Sequence, residues 1–320
     1  MQPVKKILTK LNGLHYSQEY LCFAAGPFVE PIHVYLVRQN RVISDISDKH
    51  AFVGYCPLVF AFALPGLPAF IQLIFSQKLL QQNEIFAAKD ALARLELKLI
   101  KEQRSGTGSI VYYEGSNGSH HFLSPFRQFI GSLYNNRFNK KPGNVFLHDN
   151  LYRQVQVAYS VPRNISLVTV GSNDRFNLFP TDLHGQIDEQ HYIISLRVGG
   201  KACQQVMAHT KLLLSQMHAD ACKMVYSLGK NHMQELKTAA HFPFGQSVSA
   251  SLQLPLPQQA IAYRELSLVD SFTHGIHQVM LFSTDTYRQL AAGSSALVHI
   301  HNSYATWRYK NRLPGNYLLR

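Results

Sequence analysis

Apolar positions follow two rhythms along this chain. From Glu19 to about Leu64 they come in short runs rich in aromatic and branched residues: "EYLCFAAG", "IHVYLVRQNRVISDIS" and "HAFVGYCPLVFAFAL". Such runs read as strands, with "RQN" as a hairpin turn. After Pro68 the period changes. In "PAFIQLIFSQKLLQQNEIFAAKDALARLELKLIKEQ" no further Gly or Pro occurs, and apolar residues recur at three- and four-residue steps through Ile85, Ala88, Leu92, Leu95 and Leu99. That spacing predicts a long amphipathic helix, or two in line, ended by "RSGTGS". A hairpin is expected next in "SIVYYEGSNGSHHFLS", turning around Gly115 to Gly118, and then a short helix in "PFRQFIGSLYNNRF".

The polar, basic stretch "NNRFNKKPGNVFLHDN", with Pro142-Gly143, reads as a domain boundary, giving residues 1–143 and 144–320. Beyond it the pattern is mainly β: "QVQVAYSV", "ISLVTVG", "HYIISLRV", "SVSASLQLPL", "AIAYRELSLVDSFT", "HQVMLFSTD" and "ALVHIHNSYATWRYK". Helical stretches interrupt it near "KACQQVMAHTKLLLSQM" and "NHMQELKTAAH". The expected class is α+β, mainly β. An α+β domain with a long helix would precede a closed or half-closed antiparallel barrel.

Composition narrows the function classes. With 320 residues, 46% hydrophobic and 16% charged, the chain has ample material for packed cores and too little charge for general disorder. Its 31 Lys and Arg against 19 Asp and Glu leave a formal charge of +12, which attracts phosphates of any kind. The basic residues are dispersed, the densest clusters being "VKK", "NKKPG" and "WRYKNR". Without a basic stripe, a zinc-finger spacing or a helix-turn-helix signal, nucleic acid is a minor expectation. The apolar run from Leu58 to Phe75 carries Pro65, Gly66 and Pro68 at its centre and reads as strand, turn and core helix, not as a membrane span. No apolar leader opens the sequence, and a cytoplasmic location is expected. Cys22, Cys56, Cys203 and Cys222 have no C-x-x-C spacing and read as reduced, buried thiols.

The glycine clusters "SGTGS" and "EGSNGSHH" match neither a dinucleotide fingerprint nor a P-loop, and read as turns. Among sixteen histidines, His299 and His301 share a strand face, but no third ligand can be assigned, so no metal is expected. One region stands out. "ISLVTVGSNDR" and "HYIISLRVGGK" flank the polar, Pro-containing "FNLFPTDLHGQI". A helix opening after Gly199 and Gly200 would offer an anion free backbone N–H groups and the ammonium of Lys201, with Thr181 as a hydroxyl donor upstream. An ordinary solvated helix start is an equal reading of the same residues.

From about Val161 to Tyr309 the order of pieces resembles the flavin reductase-like, FMN-binding split-barrel family. Asn177 matches the family's Asn after the first strand and turn, and Pro180, Thr181, Asp182, Leu183 and His184 stand where its flavin-facing loop lies. "LRVGGKACQQV" resembles the strand end and phosphate-side turn, with Lys201 at the Lys. "VDSFTHGIHQVMLFSTD" is similar to its Gly-x-His strand, with His277 at the His, and "ALVHIHNSYATWRYK" to its closing strand. Cys203 stands where the family has Thr or Ser, and Asp182 brings a negative charge into the loop. The resemblance implies an antiparallel split barrel that binds FMN as a homodimer and takes hydride from NADH or NADPH for a small-molecule redox partner. It implies cofactor contacts from Asn177, Pro180, Thr181, Asp182, Leu183, Arg197, Lys201, Ala202 and Cys203, with His277 as the catalytic candidate at the open flavin face. A non-catalytic flavin-binding or sensing protein is the alternative. Residues 1–143 carry no such resemblance.

Overall fold

The computed structural model describes residues 11, 13–16, 18–26, 32–64, 66–105, 108–138 and 145–313. The boundary expected at Pro142-Gly143, and the "VKK" and "NKKPG" clusters, lie outside the described residues.

After β1 (Tyr20–Ala24) come β2 (His33–Arg38), β3 (Arg41–Asp45), β4 (His50–Tyr55), β5 (Leu58–Phe62), β6 (Phe70–Ser76), β7 (Ala93–Ser105) and β8 (Gly108–His120). Strands β2 to β8 form one antiparallel sheet in the order β3-β2-β6-β7-β8-β5-β4. The "RQN" turn forms as expected, with Gln39 and Asn40 at φ of 50° and 59°.

The long helix expected from Pro68 to Gln103 does not exist; that stretch is β6, a loop and β7. The helical period counted Ile85 and Ala88, which are exposed. The operative period is two: Ala93, Leu95 and Leu97 are buried, whereas Glu96 and Lys98 between and beyond them are exposed. The hairpin expected around Gly115 to Gly118 is absent as well, because β8 runs straight through it. Its glycines serve packing. A Cβ at Gly118 would lie 3.0 Å from the Gln154 Cα, and one at Gly115 2.8 Å from Leu58 Cδ2.

Gln154 belongs to α2 (Asp149–Ala158), which follows α1 (Pro125–Phe138). The "QVQVAYSV" stretch therefore begins as helix, not strand. Its alternation carried no information on exposure, since Gln154 and Gln156 are buried along with Val155 and Val157. Gln156 Oε1 meets His120 Nε2 at 2.9 Å, and the Asn150 side-chain amide pairs with both backbone groups of Gly118.

The second large sheet uses β10 (Ser166–Ser172), β11 (Arg175–Thr181), β12 (His184–Gln186), β13 (His191–Arg197), β14 (Lys211–Met217), β15 (Lys237–Thr238), β18 (Ala260–His274) and β19 (His277–Gln289). Its order is β12-β13-β19-β18-β14-β10-β11-β15, again antiparallel. The ladder does not close: β12 and β15 are edges, so no closed barrel forms among the described residues. The molecule is mainly antiparallel β, with helices packed on it.

Four local expectations change here. Helix α3 (Lys201–His209) stops at Thr210, whose φ of 58° breaks the turn, and "KLLLSQM" is strand β14. "NHMQELKTAAH" is short 3-10 turns and β15 rather than a helix, and "SVSASLQLPL" spans the end of β16 (Phe244–Val248), a turn and most of β17 (Pro255–Pro257). The closing stretch splits after β20 (Leu297–His301) into α5 (Asn302–Lys310), because His301 Nδ1 accepts from the Ser303 N–H and caps a helix.

The sheets meet face to face. Ala51, Val53, Val59 and Ala61 of the first pack with Ile187, Ile193, Val279 and Leu281 of the second. Two glycines permit the approach: a Cβ at Gly185 would sit 2.7 Å from Ala51 Cβ, and one at Gly275 2.4 Å from the Cys56 carbonyl oxygen. Strand β1 lies outside the first sheet and pairs with β20, which also pairs with β9 (Arg163–Asn164).

Candidate functional site

Where strands β11 and β13 end, a cavity of about 700 Å³ opens, within the range of roughly 300–1,000 Å³ usual for small-ligand clefts. Local geometry makes it. Asn173 and Asp174, at φ of 50° and 63°, form a two-residue turn that returns β10 into β11 and delivers Pro180 to Leu183 to one wall. The β13–β19 register sets Arg197 opposite His277 on the next wall. Gly199, at φ of 82°, turns the chain into α3, so that Gly200, Ala202 and Cys203 form the floor. Tyr55 from the first sheet, and His232 and Met233 from a 3-10 turn, complete the lining.

The α3 start is open to the cavity. Gly200 caps it without any side-chain hydrogen bond, and a Cβ at Gly199 would meet nothing within 4 Å. The first-turn amides thus carry the positive end of a helix dipole towards the cavity. Arg197, at the same rim, adds positive potential, which contributes to lowering the His277 pKa and opposes the burial that raises the Cys56 thiol. Burial also raises the Cys203 thiol, keeping it protonated and unreactive at neutral pH.

His277 is 1% exposed. The Tyr55 N–H donates to its Nε2 at 3.2 Å, which puts the ring proton on Nδ1, a buried donor with no partner among the described residues. Burial, then the charges of Arg197 and His274, bring its pKa down to about 4, so the ring is neutral at pH 7. Ser195 Oγ, on the strand beside it, is likewise buried and has no partner among the described residues. His232 Nε2 donates to the Pro180 carbonyl at 2.7 Å and pins that wall. Asp182 Oδ2 accepts from Tyr159 Oη at 3.0 Å and His299 Nδ1 at 2.8 Å. Burial pushes the Asp182 pKa up, but these hydrogen bonds outweigh it and hold the carboxyl below its usual range.

Of the residues singled out in the sequence, Pro180, Thr181, Asp182, Leu183, Arg197, Ala202, Cys203 and His277 line this cavity. Asn177 and Lys201 do not. Asn177 is fully buried behind the wall, donating to Gln205 Oε1 of α3 at 2.7 Å and to the Asn231 carbonyl at 3.0 Å. Lys201 turns its ammonium to Glu235 Oε1, 2.7 Å away, instead of into the cavity. Sequence reasoning missed Tyr55, Ser195, His232 and Met233. Ser195 was detectable in principle, as the inward neighbour of Arg197 at period two; Tyr55 is far away in the chain and carried no signal. Among the described residues no group of three or more His, Cys, Asp or Glu side chains is placed to hold a metal ion, and no helix is long and apolar enough to cross a membrane.

No protein-family model matches the sequence, and no curated protein matches it. Solved structures superpose on about half of it. The NADH:FAD oxidoreductase of Streptomyces globisporus C-1027 matches 49% of this chain and 94% of its own at 16% identity, with a TM-score of 0.41. An FMN-binding protein of Thermus thermophilus matches 51% and 92% at 16% identity and a TM-score of 0.37. The styrene monooxygenase flavin reductase of Pseudomonas putida matches 46% and 94% at 12% identity and a TM-score of 0.37. At such distance, what those proteins bind is a property of theirs; what this cavity binds has to follow from its own residues.

Proposed function

We propose that the cavity binds a flavin, FMN in particular, in a split-barrel-like second sheet, and that the protein is a flavin reductase-like oxidoreductase using NADH or NADPH. One observation carries the reading. A single cleft of flavin size joins an uncapped helix start, suited to a phosphate, to a wall with two unpartnered buried polar atoms, Ser195 Oγ and His277 Nδ1. An orphaned buried polar atom is costly unless a ligand or water answers it. When bound, the flavin would supply the hydride chemistry. The chain would supply position and charge. The amides of Ala202 and Cys203, with Arg197, would hold the phosphate, and Thr181 would hydrogen-bond the chain or ring beside it. Neutral His277 would donate without adding charge to the ring. Val198 and Met233, both exposed at the rim, would be covered by a second copy in a homodimer.

The test is the visible spectrum of the protein before and after loading with FMN and removing the excess, followed by anaerobic NADH or NADPH. Retained, shifted flavin bands that bleach on adding the nicotinamide support the reading. Retained bands that do not bleach leave a flavin binder without turnover, and protein that cannot be loaded rejects the cofactor.

A further inference from the structure

Asp182 is the acid in the cavity lining, and its surroundings are more elaborate than a wall residue needs. Both hydrogen bonds to its side chain fall on Oδ2, from Tyr159 and His299. An ionised carboxylate only accepts, so His299 carries its proton on Nδ1, and its Nε2 accepts from the Tyr226 hydroxyl. Cys22 Sγ in turn donates to Tyr226 Oη at 2.9 Å. Side chains from β1, the end of α2, α4 (Cys222–Ser227) and β20 thus converge behind one carboxylate and fix its rotation. Among the described residues no hydrogen bond falls on Oδ1, and the side chain keeps 22% exposure where it borders the cavity.

We propose that Asp182 is the specificity-determining residue of the site, with Oδ1 as a fixed anionic acceptor for a ring N–H of the ligand. Resting on the flavin reading, the assignment names the partner: the imide N–H of the pyrimidine ring. Two carbonyls flank that N–H, and the donors they need line the same cavity as the Ser195 hydroxyl and the His277 Nδ1–H. Tyr159, His299 and Tyr226 are then positioning residues.

The experiment compares FMN with its N3-methyl analogue, binding followed by flavin fluorescence in the wild-type protein and in Asp182→Asn. Wild-type protein should prefer FMN by about tenfold or more, the equivalent of one hydrogen bond to a charged group. In Asp182→Asn the amide oxygen has to take the bonds from Tyr159 and His299, which leaves the NH₂ towards the cavity. The acceptor becomes a donor, and the preference should vanish or invert. Equal binding of both flavins by the wild type would overturn the Asp182 assignment while leaving the flavin reading intact. A preference that survives unchanged in a folded Asp182→Asn would overturn it too. Wild-type protein that binds neither would overturn the flavin reading and this assignment with it.

Discussion

Asn177 shows how a residue can be visible in sequence and yet do a different job. An Asn in an otherwise apolar strand calls for a partner, and the partner is α3 rather than a ligand: its amide ties Gln205 and the 3-10 turn at Asn231 to β11. Asn177→Ala should therefore lower stability by about 1–3 kcal/mol, the cost of stranded buried acceptors. The check is a denaturant midpoint on flavin-free protein; an unchanged midpoint would reject the role. Lys201→Ala should do little, within about 1 kcal/mol for stability, since its partner Glu235 is exposed. Flavin affinity should stay within a few-fold, as titration of the variant with FMN would show. The cavity residues Pro180 to Leu183, Arg197 and His277 were legible because they sit beside turn signals. Where Lys201 points was not, because a flexible side chain at a helix start has two directions and sequence does not choose between them.

Elements were legible where aromatic and branched residues cluster, as in the doubly covered β4 and β5, and obscure where composition suits a helix, as in β7 with its Leu, Glu and Lys. Strands β18 and β19, each with a run of consecutive buried residues, were read correctly as well. Helix α2 buries glutamines along with valines, so its alternation imitated a strand. Glycines misled for a related reason: without a partner in view, close approach and turning look alike. Gly118→Ala would push a methyl against the Gln154 backbone, 3.0 Å from Cα and 3.1 Å from N. We expect a loss of about 1–3 kcal/mol from overpacking. Gly229→Ala, with nothing within 4 Å of the new atom, serves as the control and should stay within about 0.5 kcal/mol. Thermal melts of the pair would decide it, and equal melting temperatures would contradict the packing account.

At the scale of the whole molecule, buried histidines set the response to acid. His50 is lowered to about 3, and His120, His184 and His277 to about 4, each chiefly by burial. Unfolded histidine titrates near 6.5. Between those values the unfolded chain binds more protons than the native one, so stability falls as the pH drops from about 6.5 towards 4. Each histidine contributes a slope of up to about 1.4 kcal/mol per pH unit in that window. Urea midpoints at pH 7, 6 and 5 should decline in order, and a flat series would contradict the burial of these rings. The pairing of β1 with β20 has a different kind of consequence, one of timing. Leu21 and Phe23, fully buried in the finished molecule, are made about 280 residues before their partners Ile300 and Val298. At about 5–20 residues per second that is a wait of roughly 14–56 s on the ribosome. For that interval the apolar face of β1 has no native strand to join, so it is the segment where a chaperone would find the nascent chain and where synthesis speed would govern yield.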